Sequence, residues 1–87
     1  MPTYHRIKIF PCYFRRVITG EKTFEIRYND RGYKQGDYVT LCEWKMKNGD
    51  PRTGRYTGRE ATYRIGTVIP DMYGGYVVFS LLGANKK

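Results

Sequence analysis

Residues 20–27 read GEKTFEIR. Within that run Lys22, Thr23, Glu25 and Arg27 supply an ammonium, a hydroxyl, a carboxylate and a guanidinium, and Asn29, Asp30 and Arg31 follow at once. Such a cluster holds a phosphate through arginine while a carboxylate accepts from a base amino group. The structural alternative is an exposed ion-pair ladder worth less than about 1 kcal/mol. A second cluster is YTGRE at 56–60. There Tyr56 is placed to stack, Gly58 lets the backbone come close, and Arg59 can hold a phosphate. The competing reading is a tight hairpin turn with Arg59 in water. Glu43 and Trp44 add a carboxylate beside an aromatic that serves as a base platform or as core. His5, the sole histidine, caps or pairs more readily than it catalyses. A curved sheet would bring His5, Lys22, Glu25, Glu43 and Arg59 around one cleft.

Charge points the same way. Sixteen Lys and Arg face eight Asp and Glu, a formal net charge of +8. The cations are spread along the chain, as suits a folded domain that meets polyanions. Nine Tyr, four Phe and one Trp exceed what so small a core needs. Tyr4, Tyr28, Tyr33, Tyr56 and Tyr73 fall near expected turns or strand ends, where aromatic faces beside guanidinium groups stack exposed bases. Cys12 and Cys42 have no metal-ligand spacing, so neither zinc nor a cofactor is expected, and both read as reduced thiols of a cytoplasmic protein. The N-terminus is polar and basic, unlike a signal peptide, and the apolar run Val77–Phe79 is far too short to span a bilayer.

The 87 residues suit a single domain, 1–87. HRIKIF (5–10) alternates and reads as a strand with Ile7 and Ile9 inward. Pro11 opens a two-turn helix and Gly20 ends it, with Phe14, Val17 and Ile18 on its apolar side. KTFEIRY (22–28) is the next strand, with Phe24, Ile26 and Tyr28 inward and Thr23, Glu25 and Arg27 outward. NDRG (29–32) and QGD (35–37) are turns. YVTLCEWK (38–45) is a strand facing inward with Val39, Leu41 and, by strict alternation, Glu43. An isolated carboxylate there costs several kcal/mol, by rough estimate, so Glu43 needs a partner or a rim position, unless a bulge near Cys42 turns Trp44 inward instead. Residues 46–60 form a basic, glycine-rich loop or hairpin. REATYRIGTVI (59–69) alternates around Ala61, Tyr63 and Ile65, with a bulge at Gly66. PDMYGG (70–75) is a turn, YVVFSLL (76–82) a buried strand, and GANKK (83–87) a frayed tail. The sum is mainly β (α+β): about five strands in a small curved sheet or barrel, with one short helix after the first strand.

The runs GEKTFEIR, NDRGY, GDYVTLCEW, YTGRE and GYVVFSLL together resemble a phage and bacterial family of ASCH-like domains in the PUA-like superfamily. The resemblance extends over nearly the whole chain. It implies a small PUA-like β-barrel with a cleft flanked by the helix and strand-end loops, and relatives that bind RNA or a modified nucleoside. One ASCH branch removes the acetyl group from N4-acetylcytidine, using a threonine three residues past a lysine as nucleophile. Lys22 and Thr23 match that pattern, but the third position past Lys22 holds Glu25, so the expected hydroxyl is missing. If the chain were an enzyme, Lys22, Glu25 and Glu43 would carry the reaction.

These readings lead to an RNA-binding or nucleotide-binding domain. Lys22, Arg27, Arg31 and Arg59 are expected to contact phosphate, Thr23 to add a hydroxyl, Glu25 and Glu43 to read a base edge, and Tyr56 or Trp44 to stack. The alternatives are an amidohydrolase acting on a modified nucleoside and a phage-encoded module that docks on an acidic host protein.

Overall fold

In Tyr4–Ile9 (β1) every second side chain is apolar or paired, and the strand buries His5, Ile7 and Ile9 while Tyr4, Arg6 and Lys8 stay in solvent. The computed structural model describes residues 1–72 and 74–83. After β1 the chain turns at Phe10, which is extended (φ −71°, ψ 153°) as a residue before proline must be. Pro11–Ile18 (α1) follows, with Phe14 and Val17 buried and Arg15 and Arg16 in the last turn, where cations complement the helix dipole. The remaining elements are the strands Phe24–Tyr28 (β2), Tyr38–Lys47 (β3), Asp50–Met72 (β4) and Tyr76–Leu82 (β5).

The five strands form one sheet in the order β1-β3-β4-β5-β2. Among the described residues only β1 and β3 run parallel, which α1 and β2 in the intervening chain permit. The core sits on the concave side under α1, where Val17, Val39, Leu41, Ile65, Val77 and Phe79 are buried with Phe14. Strand count, the single helix and the helix boundaries agree with the sequence reading. Among the described residues no backbone ladder joins β1 to β2, so the sheet is not closed into a barrel and keeps two edges.

Residues 46–60 form a hairpin. Asn48 and Gly49 both have positive φ (53° and 74°), the type I′ geometry whose twist matches two adjoining strands, and Lys47 pairs with Asp50. Strand β4 is long because it serves two neighbours, pairing with β3 first and with β5 afterwards. Bulges allow the change of direction. Cys42 and Trp44 oppose Glu60 and Tyr56, so Glu43 faces three residues, Thr57, Gly58 and Arg59. A second irregularity at Gly66 and Thr67 falls where the sequence places a bulge. A Cβ on Gly66 would lie 2.5 Å from the Ser80 hydroxyl. The expected turn at 70–75 is shorter than read, because β4 continues to Met72 and the turn residues are Gly74 and Gly75. Tyr73 and residues 84–87, which the sequence assigned to a stacking position and a frayed tail, lie outside the described residues.

One strand is inverted relative to expectation. In β2 Phe24, Ile26 and Tyr28 are 43%, 55% and 58% exposed, while Glu25 is 4% exposed. Alternation identifies which residues share a face, not which face is inside. The choice falls to the partners waiting within, and those are cations. Among the described residues no helix is long and apolar enough to cross a membrane.

His5 explains part of the core's polar content. Its Nε2 lies 2.9 Å from Asp37 Oδ2, and its ring tilts against Tyr33. Asp37 also accepts N–H bonds from Thr3 (3.0 Å) and Lys34 (3.1 Å). Burial works to raise the Asp37 carboxyl pKa, but the hydrogen bonds from His5, Thr3 and Lys34 outweigh it and hold the value below the ordinary one. The unfolded chain therefore takes the proton first. Asp37 stabilises the fold fully above the unfolded value of about 3.9, and that contribution is lost as pH falls through the lower folded value. Urea unfolding at a series of pH values checks this. Asp37→Asn should cost about 1–3 kcal/mol near neutrality and lose less stability than wild type between about pH 5 and the acid limit.

Candidate functional site

The site begins where α1 ends. The Lys22 amide donates to Arg16 O at 2.9 Å, which fixes the chain leaving the helix and turns the Lys22 side chain along β2. Its Nζ donates to Phe24 O at 2.7 Å and to Glu25 Oε1. The other Glu25 oxygen accepts from Arg27 Nε at 3.0 Å. The buried carboxylate thus holds a cation on each oxygen. A strand places Glu25 and Arg27 on one face, and the helix exit brings Lys22 to the same point.

Arg27 then reaches across the open seam of the sheet, where its Nη2 donates to Lys8 O on β1. Arg31 does the same one step along, Nη1 to Arg6 O at 2.9 Å. Carbonyls two residues apart point to the same side of a strand, so the two guanidinium groups cap consecutive outward acceptors of the β1 edge. The NDRG segment is held in position for this. Asn29 N donates to Gly75 O (2.9 Å) and Asn29 Oδ1 accepts from Tyr33 N (3.2 Å).

Beside the clasp lies an open cleft of about 650 Å³. Aromatic side chains dominate its wall: Phe10, Tyr13, Phe24, Tyr28, Trp44 and Tyr76. Lys8, Lys22, Glu25 and Arg27 supply its charge. The Lys8 ammonium stands 3.9 Å from the Trp44 ring centroid, and Tyr56 meets the same ring edge-on at 4.9 Å. Tyr28 lies over Gly75, where a Cβ would come within 3.1 Å of the Tyr28 ring, and meets Tyr76 edge-on at 5.7 Å. A smaller, more polar slot of about 370 Å³ continues from the cleft along the seam. Lys8, Arg27 and Tyr28 belong to both, and the slot adds Arg6, Arg31 and Tyr56.

Of the residues proposed from sequence, Lys22, Glu25, Arg27 and Trp44 line the cleft, and Arg31 and Tyr56 line the slot. Four stand elsewhere. His5 is buried against Asp37 and Tyr33. Thr23 lines neither space, and its carbonyl accepts from Leu81 N at 2.9 Å. Glu43 and Arg59 form a separate cluster. Glu43, 6% exposed, accepts from Thr57 Oγ1 at 2.6 Å and lies 3.9 Å from Arg59 Nη1, while Arg59 covers the Phe14 ring at 5.0 Å. The expected convergence of all five groups is therefore corrected to three separate places: Lys22 with Glu25, Glu43 with Arg59, and His5 with Asp37. The reason is local. The bulge at Thr57–Arg59 aims those side chains at Glu43, so Glu43 stays inward with partners although the bulge is present, and Trp44 packs on the opposite face under Lys8. The sequence reading missed Lys8, Phe10, Tyr13 and Tyr76, assigned Phe24 and Ile26 to the core, and gave Tyr28 both an inward place in its strand and a stacking role. The alternation of HRIKIF already sets Arg6 and Lys8 on one outer face, which was the available signal.

Fold and site together define a small, mostly β domain with one short helix, whose two sheet edges flank an aromatic cleft rimmed by cations. Residues 4–81 match the family described as "Domain of unknown function (DUF3850)", and the chain belongs to that family. It is similar to the "Uncharacterized 12.9 kDa protein in GpA 3'region" of Escherichia phage P2, with 36% identity over 72 residues, 83% of this chain and 59% of the phage protein. The chain therefore spans about three fifths of that relative's length.

Removing the carboxylate leaves two cations together at a part-buried point, whereas removing one cation leaves the other still paired. Glu25→Ala should therefore cost about 3–5 kcal/mol in urea unfolding, and Lys22→Met distinctly less. Equal costs, or a Glu25→Ala cost below about 1 kcal/mol, would show that the carboxylate does not anchor the site.

Proposed function

We propose that this domain binds RNA, or a nucleotide-like ligand, in the cleft beside GEKTFEIR, and that it is an ASCH/PUA-like domain whose barrel seam is made by side chains. The observation that carries the reading is the juxtaposition of exposed aromatic faces with cations in one concavity. Phe24, Tyr28, Tyr13 and Tyr76 are each at least 43% exposed and share the cleft with Lys8, Lys22 and Arg27. Exposing so much aromatic surface in so small a domain loses hydrophobic stabilisation unless a flat partner covers it. A net charge of +8 favours an anionic partner. Bases have π-faces whatever their sequence, so aromatic stacking with backbone-directed cations suits single strands.

The roles of the residues follow their contacts. Phe24 and Tyr28 stack, with Trp44 as the inner platform. Lys8 carries an ammonium with no carboxylate against it among the described ion pairs. Glu25, with a cation on each oxygen, acts by placing Lys22 and Arg27 and not by reading a base edge. The domain works in the cytoplasm of a bacterium or a phage-infected cell, where Cys12 and Cys42 remain thiols.

The second reading, deacetylation of a nucleoside such as N4-acetylcytidine, is favoured by the direct Lys22–Glu25 contact inside the cleft. Among the described residues it lacks a serine or threonine alcohol there to act as nucleophile, since Thr23 does not line the cleft. Release of cytidine from N4-acetylcytidine by the pure protein decides it.

Trp44 is the only tryptophan and reports directly on the cleft. A single-stranded RNA oligonucleotide should change its fluorescence, with affinity falling as salt rises. Tyr28→Ala and Phe24→Ala should each weaken binding about 5-fold to 150-fold, the span of one lost stacking contact. Unchanged affinity in both variants, or no binding by the wild type at low salt, overturns the reading.

A further inference from the structure

The cleft and the slot are unequal in chemistry. The cleft is walled mainly by aromatic rings, whereas the slot is lined by Arg6, Lys8, Arg27 and Arg31 with Asp30, Arg6 being paired with Glu60 and Arg27 with Glu25 from beside it. They meet at Lys8, Arg27 and Tyr28. Extending the nucleotide-binding reading, on which it rests, we infer that the slot is the phosphate subsite. The ligand it selects is then a phosphorylated nucleoside unit, with the base in the aromatic cleft and the phosphate between Arg27 and Arg31.

The arginines are held in position but not used up. A guanidinium carries five N–H donors. Arg27 commits one to Glu25 and one to Lys8 O, and Arg31 commits one to Arg6 O. The remaining donors stay available, on planes fixed by contacts to β1 and β2. A guanidinium whose orientation is already fixed loses little further freedom when it binds a phosphate oxygen in fork geometry. Arg31 and Arg27 hold carbonyls two residues apart on one strand, which sets their spacing by the backbone repeat and not by loop motion. Tyr28, common to both spaces, is the point where a sugar would link base to phosphate. The same clasp disfavours an extended peptide as occupant, because the β1 carbonyls that such a strand would need are already capped at residues 6 and 8.

Parallel titrations of Trp44 fluorescence with adenosine, cytidine and their 5′-monophosphates and 3′-monophosphates test the assignment. For at least one base a monophosphate should bind about ten to a hundred times more tightly than its nucleoside, the gain of charge-assisted hydrogen bonds. In Arg31→Gln that ratio should fall toward one, and in Arg31→Lys, which keeps the charge but loses the fork, to an intermediate value. Because Arg31 also bonds Arg6 O, thermal unfolding is recorded for each variant. Should Arg31→Gln unfold, Arg31→Lys carries the test, since it keeps a cation beside Arg6 O while removing the fork. The ratio should then fall at least threefold. A wild-type ratio near one, or a ratio that survives in the folded variants, overturns the phosphate subsite while leaving base binding in the cleft intact. Failure of nucleosides, monophosphates and single-stranded RNA alike overturns both readings at once.

Discussion

The two edges of the sheet face each other without a ladder, and two guanidinium groups span the gap. Arg27 and Arg31 supply the donors that a sixth strand or a closed barrel would have supplied to Lys8 O and Arg6 O. A backbone acceptor on an unpaired edge takes its donor from water or from a side chain, and at this seam the two guanidinium groups supply it. They also leave the edges farther apart than a ladder would, because a side chain occupies the space that adjoining backbones otherwise fill. The groove is a consequence of that substitution. So is the protection of β1, whose capped carbonyls cannot recruit a strand from another molecule.

Glu25 makes the clasp possible. Arg27 leans on it through Nε, and Lys22 holds its other oxygen from the helix exit. One carboxylate therefore ties β2, the end of α1 and, through Arg27, β1. The same device recurs in the fold. Glu43 is buried with Thr57 and Arg59, and Asp37 with His5 and two backbone N–H groups. A buried charge is tolerated when donors or cations face its oxygens: Glu25 and Asp37 have a hydrogen-bond donor on each oxygen, and Glu43 has Thr57 on one and the Arg59 guanidinium 3.9 Å from the other. This withdraws acids from the surface of a chain that already carries twice as many cations as acids. What remains outside is strongly positive, which speeds encounter with an anionic partner and makes it salt-sensitive.

Composition and pattern settled much of this molecule before any coordinates. Pro11, the spacing of Phe14, Val17 and Ile18, and the alternation of HRIKIF and YVTLCEWK are local signals, and local backbone preference obeys them. The bulge at Gly66 was legible too, because a strand interior without a side chain marks a close approach. The GEKTFEIR cluster was visible as chemistry, since charge and hydroxyl types do not depend on folding.

Which way β2 faces was decided elsewhere. FEIRY offers an apolar face of three residues and a charged face of two, and hydrophobicity alone turns the apolar one inward. The structure does the reverse, because the helix exit delivers Lys22 to the inside and Arg27 finds an acceptor on β1, about 60 Å of chain away by the extended-chain scale of about 3.3 Å per residue but adjacent in space. The separation of Glu43 and Arg59 from Lys22 and Glu25 likewise depends on a bulge in β4 that only its pairing with β3 reveals. Residue type fixes what a side chain can do. Its neighbours from distant segments fix whether it is a ligand, an anchor or a wall, and those neighbours exist only once the sheet has formed.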